Sequence, residues 1–254
     1  MSRLLERRVA IVTGAGQGIG EGIARALAAA GASVVIAARR AENGEPAAAA
    51  IRQRGDAARF VRCDVTNAWS VGACVEETVE VHGRLDIVVH NAVSPPGPPT
   101  AIQDIDPDVI DAQIATSTTA AYFLAHAAHP HLTVTNGSFV LLTSPAGMEG
   151  SGNLPVYATV KGAQRGLLKS LAREWGSDGV RVNAIAPVAW TPALVDATDA
   201  NPTLRPRLEA RTPLGRIGDA ELDVGPVAVF LASDMARHMT GQTLAVDGGR
   251  YLGL

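Results

Sequence analysis

The sequence predicts a doubly wound α/β domain, a parallel sheet with helices on both faces, and three observations carry that expectation. Short β-branched runs alternate with longer Ala-rich segments of helical period along the 254-residue chain. A glycine-rich turn joins the first run to the first helix. The composition, 47% apolar and 19% charged with only 4% aromatic, is that of a globular chain in which small side chains let helices lie close on a sheet.

The elements follow in order. Val9–Thr13 reads as the first strand, Ile19–Ala30 as the first helix and Ser33–Ala38 as the second strand, which together make a βαβ unit. A helix near Gly44–Arg54, a strand at Ala58–Cys63, a helix at Ala68–Val81 and a strand at Leu85–His90 repeat the rhythm. A long helix from about Pro107 to Ala128 comes next, then a strand at Ser138–Thr143, a helix from Pro155 to Trp175 and a strand at Val180–Ile185. The chain closes with a helix near Asp219–Ala232 and a last strand at Thr243–Val246. Right-handed crossovers of this kind build a parallel sheet of the Rossmann type, and ligands sit at the carboxyl ends of its strands. Ala92–Thr100 and Pro187–Pro213 break the rhythm directly after strands, so they are expected to be active-site loops within one domain spanning 1–254.

Bulk charge excludes several functions. A formal charge of −3, with no basic cluster beyond Arg39-Arg40, gives no footprint for nucleic acid or an anionic membrane, leaving a small molecule as the expected partner. The two cysteines, Cys63 and Cys74, have no metal-ligand spacing and read as free thiols. The start of the chain lacks an apolar targeting run, and no stretch approaches ~18 apolar residues, so a cytoplasmic location is expected.

Between the first strand and helix lies Thr13-Gly14-Ala15-Gly16-Gln17-Gly18-Ile19-Gly20, where a dinucleotide pyrophosphate needs bare backbone N–H groups at a helix N-terminus. The second strand ends in Ala37-Ala38-Arg39-Arg40, without the acid that would hold an unphosphorylated adenosine ribose. Arg39 is therefore expected to pair with a 2′-phosphate, favouring NADP(H) over NAD(H). Asp64, after the third strand and followed by Val65, is placed to accept from the adenine amino group. Tyr157-Ala-Thr-Val-Lys161 puts a phenol and an ammonium on one helix face, and a nearby cation favours the phenolate. Ser144, thirteen positions before Tyr157, ends a strand where its hydroxyl can meet the phenol. Two hydroxyls could then hold one carbonyl oxygen.

With these features in chain order, the sequence resembles the short-chain dehydrogenase/reductase family. Leu85-Asp-Ile-Val-Val-His-Asn-Ala92, Arg181-Val-Asn-Ala-Ile-Ala-Pro187 and Thr240-Gly-Gln-Thr-Leu-Ala-Val-Asp-Gly-Gly249 extend the resemblance over essentially the whole chain. It implies hydride transfer between a nicotinamide and an alcohol or ketone, with Tyr157 as acid/base, Ser144 polarising the substrate oxygen, and Lys161 binding the nicotinamide ribose and lowering the Tyr157 pKa. It also implies cofactor contacts at Asn91, Ala92, Pro187 and Thr191, and assembly as a homotetramer or homodimer.

Three departures from the family pattern fall at the cofactor and proton-relay end. His90-Asn91-Ala92-Val93 stands for the usual Asn-Asn-Ala-Gly. Ser117 takes the place of the Asn that holds a relay water for the lysine, with Thr118 next to it. Pro187-Val188 replaces Pro-Gly. A non-catalytic nucleotide-binding or assembly subunit is the alternative reading, against which intact Ser144, Tyr157 and Lys161 count. A halohydrin dehalogenase-like lyase is a third, opposed by Lys161 and the four turn glycines. His126, His129 and His131 read as a polar helix terminus, and no metal is expected. The loops Val93–Thr100, Pro145–Leu154 and Val188–Arg211 are mainly small, apolar and Pro-rich, which points to a hydrophobic ketone or alcohol as substrate.

Overall fold

The computed structural model describes residues 3–95 and 97–252. Pro96, within the expected active-site loop, lies outside the described residues, as do Met1, Ser2, Gly253 and Leu254 at the two chain ends; Met1 and Ser2 open the segment read as lacking a targeting run.

Among the described residues seven strands form one parallel sheet: β1 (Val9–Thr13), β2 (Ser33–Ala38), β3 (Ala58–Arg62), β4 (Ile87–His90), β5 (Ser138–Leu142), β6 (Arg181–Pro187) and β7 (Thr243–Val246), in the spatial order β3-β2-β1-β4-β5-β6-β7. β1 pairs with β2 on one side and β4 on the other, with Ala10 opposite Ile87 and Val12 opposite Val89. The winding direction reverses between β1 and β4, which is where such sheets open a crevice for ligands.

Alternation along the strands divides the core. Ala10, Val12, Ile36, Ile87 and Val140 face α1 (Gly18–Ala29), α2 (Ala41–Gln53) and α10 (Gly225–Ala232), where Ile23, Leu27, Ile51 and Leu231 are buried. Ile11, Val35, Val88 and Leu141 face α3 (Ala68–His82), α5 (Ala120–Thr135) and α7 (Pro155–Glu174), whose Val75, Leu124 and Leu168 fill the other layer. A sheet covered on both faces needs near-continuous apolar strands, and β1, β4 and β5 are buried at every position. No helix among the described residues is long and apolar enough to cross a membrane.

Several boundaries differ from those the periodicity predicts. α2 begins at Ala41 rather than Gly44 and runs through Pro46; the long helix continues through Pro130 to Thr135 rather than stopping at Ala128. Both prolines sit on the solvent face, and the carbonyls they leave without a helical donor, on Glu42 and His126, belong to exposed residues that water can satisfy. The far end of α5 is held by buried Leu132 and by the Thr135 hydroxyl donating to the Leu85 carbonyl. Between α4 (Pro107–Gln113) and α5 the backbone widens into a π-helical stretch, Ile114–Thr119, and a second one, Ala220–Val224, precedes α10. The Pro-rich loops also contain short helices, α6 (Ala146–Glu149), α8 (Pro192–Ala200) and α9 (Leu204–Ala210).

Candidate active site

The glycine turn leaves β1 and enters α1 at the crevice. Gly14 has φ +64°, and a Cβ there would stand 2.8 Å from the Ala92 Cα, so only glycine allows the turn to lie against the chain leaving β4. Asn91 fixes that contact, its Nδ2 donating to the carbonyls of Thr13 (2.9 Å) and Gly14 (3.2 Å). Gln17, the residue before α1, is extended and its side chain does not cap the helix. Gly18, Ile19 and Gly20 therefore open a helix whose first N–H groups are free for an anion. Thr191 caps α8 by accepting from the Leu194 N–H at 3.2 Å, and it lies with Pro192 against Gly18. The end of β6 at Pro187 thereby leads to the same crevice.

On the adenosine side, Arg39 is exposed after β2 and forms no ion pair among the described residues. Asp64 Oδ1 accepts from the Thr66 N–H (3.0 Å) and hydroxyl (2.7 Å). Burial opposes ionisation of Asp64, but the Thr66 bonds and the nearby Arg39 and Arg62 outweigh it and hold the carboxyl below its ordinary value. Val65 is buried beside it, and Gly16 lies against Asn43 of α2. A glycine cradle and an uncapped helix start fit a dinucleotide pyrophosphate, with Arg39 exposed beyond β2 on the adenosine side.

The expected acid/base cluster gathers where β5 ends and α7 begins. The Ser144 hydroxyl accepts from the Ala146 N–H at 3.2 Å and lies close enough to Tyr157 to act on its phenol. Burial pushes the Tyr157 pKa up, and the Ser144 hydroxyl opposes that rise. Lys161 is buried with Nζ 5.6 Å from the Tyr157 ring centroid. Its ammonium donates to the Leu142 carbonyl at 2.5 Å, and burial lowers its pKa to about 7. The opening turns of α7 are fixed to β5 by the Thr143 hydroxyl, which donates to the Lys161 carbonyl at 2.9 Å.

Ser117 lies within the π-helical stretch and packs toward the same cluster, but its carbonyl makes the contacts: it accepts from His90 Nε2 at 3.1 Å and Gln164 Nε2 at 3.0 Å, while its buried hydroxyl has no partner among the described residues. Gln164 Oε1 accepts from Lys161 Nζ at 3.2 Å. Composition and motif spacing did not single out Gln164. In sequence it is one amide three residues after Lys161, and only the structure shows it buried on the same face of α7. His90 is fully buried between Ser117 and the Thr13 hydroxyl. The loop after β4 is pinned by Gln113, whose Nε2 donates to the carbonyls of Ser94 and Pro95, both at 3.0 Å. Val93 is partly exposed there. Val188 donates its N–H to the Val246 carbonyl at 2.9 Å and lines an open cleft with Leu214 and Val246. The helix histidines engage carboxylates of other elements, His129 with Asp178 at 2.9 Å and His131 with Glu76 at 3.2 Å.

A doubly wound sheet with a bare glycine turn at its crevice defines a dinucleotide-dependent enzyme. Comparison with known proteins gives the family. The chain matches a family model described as enoyl-(acyl carrier protein) reductase over residues 14–250. It is 36% identical to the short-chain dehydrogenase/reductase SDRA of Arabidopsis thaliana, over 98% of this chain and 96% of that one. It is 39% identical to the L-fucose dehydrogenase of Oryctolagus cuniculus, over 97% of this chain and 86% of that one. The solved structure of a short-chain type dehydrogenase/reductase from Mycobacterium ulcerans superposes with a TM-score of 0.90 at 32% identity, covering 97% of this chain and 90% of that one. The chain belongs to the short-chain dehydrogenase/reductase family and is an NAD(P)-dependent oxidoreductase.

Proposed function

We propose that this enzyme interconverts a hydrophobic ketone and its secondary alcohol at Ser144, Tyr157 and Lys161, using NADP(H) in preference to NAD(H). The observation that carries the reading is the meeting of these three side chains at the carboxyl end of β5, beside the crevice that holds the glycine turn. A bound nicotinamide supplies or accepts the hydride. The residues expected to hold the dinucleotide are Gly14, Gly16, Gln17, Gly18, Ile19, Gly20, Arg39, Asp64, Val65, Asn91, Ala92, Tyr157, Lys161, Pro187 and Thr191, with Arg39 meeting the 2′-phosphate.

In the reducing direction, Tyr157 gives its proton to the substrate oxygen while Ser144 donates a hydrogen bond to the same oxygen. Burial keeps the phenol protonated at neutral pH, which suits that role. Alcohol oxidation needs the phenolate, so its rate is expected to rise with pH. Lys161 has three N–H donors, and with two turned to Leu142 and Gln164 one is left for a ribose hydroxyl or the phenol.

Fluorescence titration with NADPH and NADH, followed by turnover of a ketone panel, tests the reading. NADPH is expected to bind about tenfold or more tightly than NADH, as a bidentate arginine–phosphate pair allows. Tyr157→Phe is expected to lower kcat by about 100-fold or more with binding retained. Tight NADH with weak NADPH overturns the Arg39 assignment. Unchanged turnover in Tyr157→Phe overturns the acid/base assignment.

A further inference from the structure

The network behind Lys161 contains a buried amide to which the reaction as described assigns nothing. We propose that Gln164 is a positioning residue for Lys161, its side-chain amide bridging the lysine ammonium to the Ser117 carbonyl and setting where that ammonium stands. The inference rests on the hydride-transfer reading for the role of Lys161, and on the contacts themselves for the role of Gln164.

Chemistry fixes the amide's orientation. The Ser117 carbonyl can only accept, so the group 3.0 Å from it must be the NH₂; the lysine ammonium can only donate, so the group 3.2 Å from it must be the amide oxygen. The reverse orientation would place two acceptors and two donors face to face. The same reasoning fixes His90. The Thr13 hydroxyl accepts from the N–H groups of Asn91 (3.1 Å) and Ala92 (3.2 Å), so its own proton is free to go to His90 Nδ1, and His90 donates from Nε2 to the Ser117 carbonyl. That carbonyl thus receives one bond from β4 and one from α7, and both of its lone pairs are used. His90, Ser117, Lys161 and Gln164 are all buried.

The arrangement has a chemical consequence. A water between a lysine and a main-chain carbonyl can pass a proton onward, because it both donates and accepts through one rotating O–H group. A primary amide holds the same two partners but passes no proton without becoming its imidic acid. Gln164 therefore fixes the ammonium and closes the path through Ser117, so the proton that Tyr157 gives up or takes must exchange on the side where Ser144 and Tyr157 are partly exposed. The titratable groups facing Lys161 are Tyr157 from its own helix and His90 from β4; both are neutral near pH 7.

The chain has two lysines, Lys161 and the exposed Lys169, so protein labelled with ¹³C at lysine Cε gives two signals, and the buried one can be titrated without any cofactor or substrate. Gln164→Glu puts a carboxylate beside the ammonium and is expected to raise the Lys161 midpoint by about one unit or more. Gln164→Met, close in volume and flexible enough to pack, removes the acceptor and is expected to lower that midpoint. Gln164→Met is also expected to lower kcat about tenfold, with the ketone KM held within about twofold, because the loss falls on the lysine rather than on substrate binding. Calorimetry confirms that each variant is folded, and either one suffices if the other is not. A Lys161 midpoint unmoved in a folded variant overturns the proposal, whatever happens to melting temperature. A shifted midpoint in a protein that binds neither nucleotide leaves the contact standing and overturns the hydride-transfer reading instead.

Discussion

His90 shows at the level of one side chain how a buried site couples to pH. Burial is the main cause that lowers its pKa to about 4; the Lys161 charge adds to it, and the bond to the Ser117 carbonyl opposes it. The unfolded chain takes up this proton near pH 6.5, whereas the folded chain refuses it until about pH 4. The unfolded state therefore binds more protons across that window, and folding stability falls as the pH drops from 6.5 towards 4, by up to about 3 kcal/mol. Melting temperatures of His90→Asn, the residue usual in the family, are expected to fall less steeply across this range than those of the parent. Parallel curves for the two proteins would show that another group carries the acid sensitivity. Lys161 follows the same rule at higher pH. Its charge is unfavourable where it is buried, so stability rises as the pH climbs from about 7 towards its unfolded value near 10.4. Tyr157 and Lys161 could be singled out in the sequence because they stand in chain order with the glycine turn, Asp64 and Ser144; the spacing alone is common by chance. Gln164 could not be, because a single amide acquires meaning only when the chain brings a carbonyl from another element to face it.

The first βα turn is the element proposed to hold the cofactor, and Gly20 shows how little room it leaves. A Cβ at that position would stand 2.4 Å from Asn91 Nδ2 and 2.8 Å from the Gly14 carbonyl. Gly20→Ala must therefore displace the amide that ties this turn to β4. We expect a loss of about 1–3 kcal/mol in stability and a rise of tenfold or more in the NADPH Kd, read by calorimetry and fluorescence titration. Parent-like affinity would mean that the turn closes on the nucleotide without Asn91. The strands were the most legible elements, because strands buried on both faces read as continuous apolar runs, and β1, β2 and β7 fall where the pattern put them. The π-helical stretch at Ile114–Thr119 was not legible, since its residues fit an ordinary helical period and the extra residue is absorbed only on packing against α7. α8 and α9 lie in a segment rich in proline, which hides helices that begin on it: Pro192 opens α8.

At the scale of the whole molecule, the sheet that organises the site also ends in an open edge. Among the described residues β7 pairs only with β6, and its Ala245 is exposed, with Leu214 and Leu252 also exposed. A sheet edge presents unpaired backbone groups that must be covered, blunted by charge or matched by another chain. Here β7 itself carries no charged residue, so we expect this edge to pair with a second copy, which would cover the apolar surface within the closed symmetry usual in soluble oligomers. Light scattering is expected to give a mass two or four times the 26.2 kDa of one chain at micromolar concentration. Ala245→Arg places a charge on an exposed position that a monomer tolerates, and it should shift the distribution towards smaller species with the melting profile of the single chain retained. A parent protein that runs at the mass of one chain removes the argument for assembly altogether. An assembled parent whose mass is unchanged by Ala245→Arg moves the interface away from β7, to another surface such as the long helix that exposes Ile114 and Tyr122.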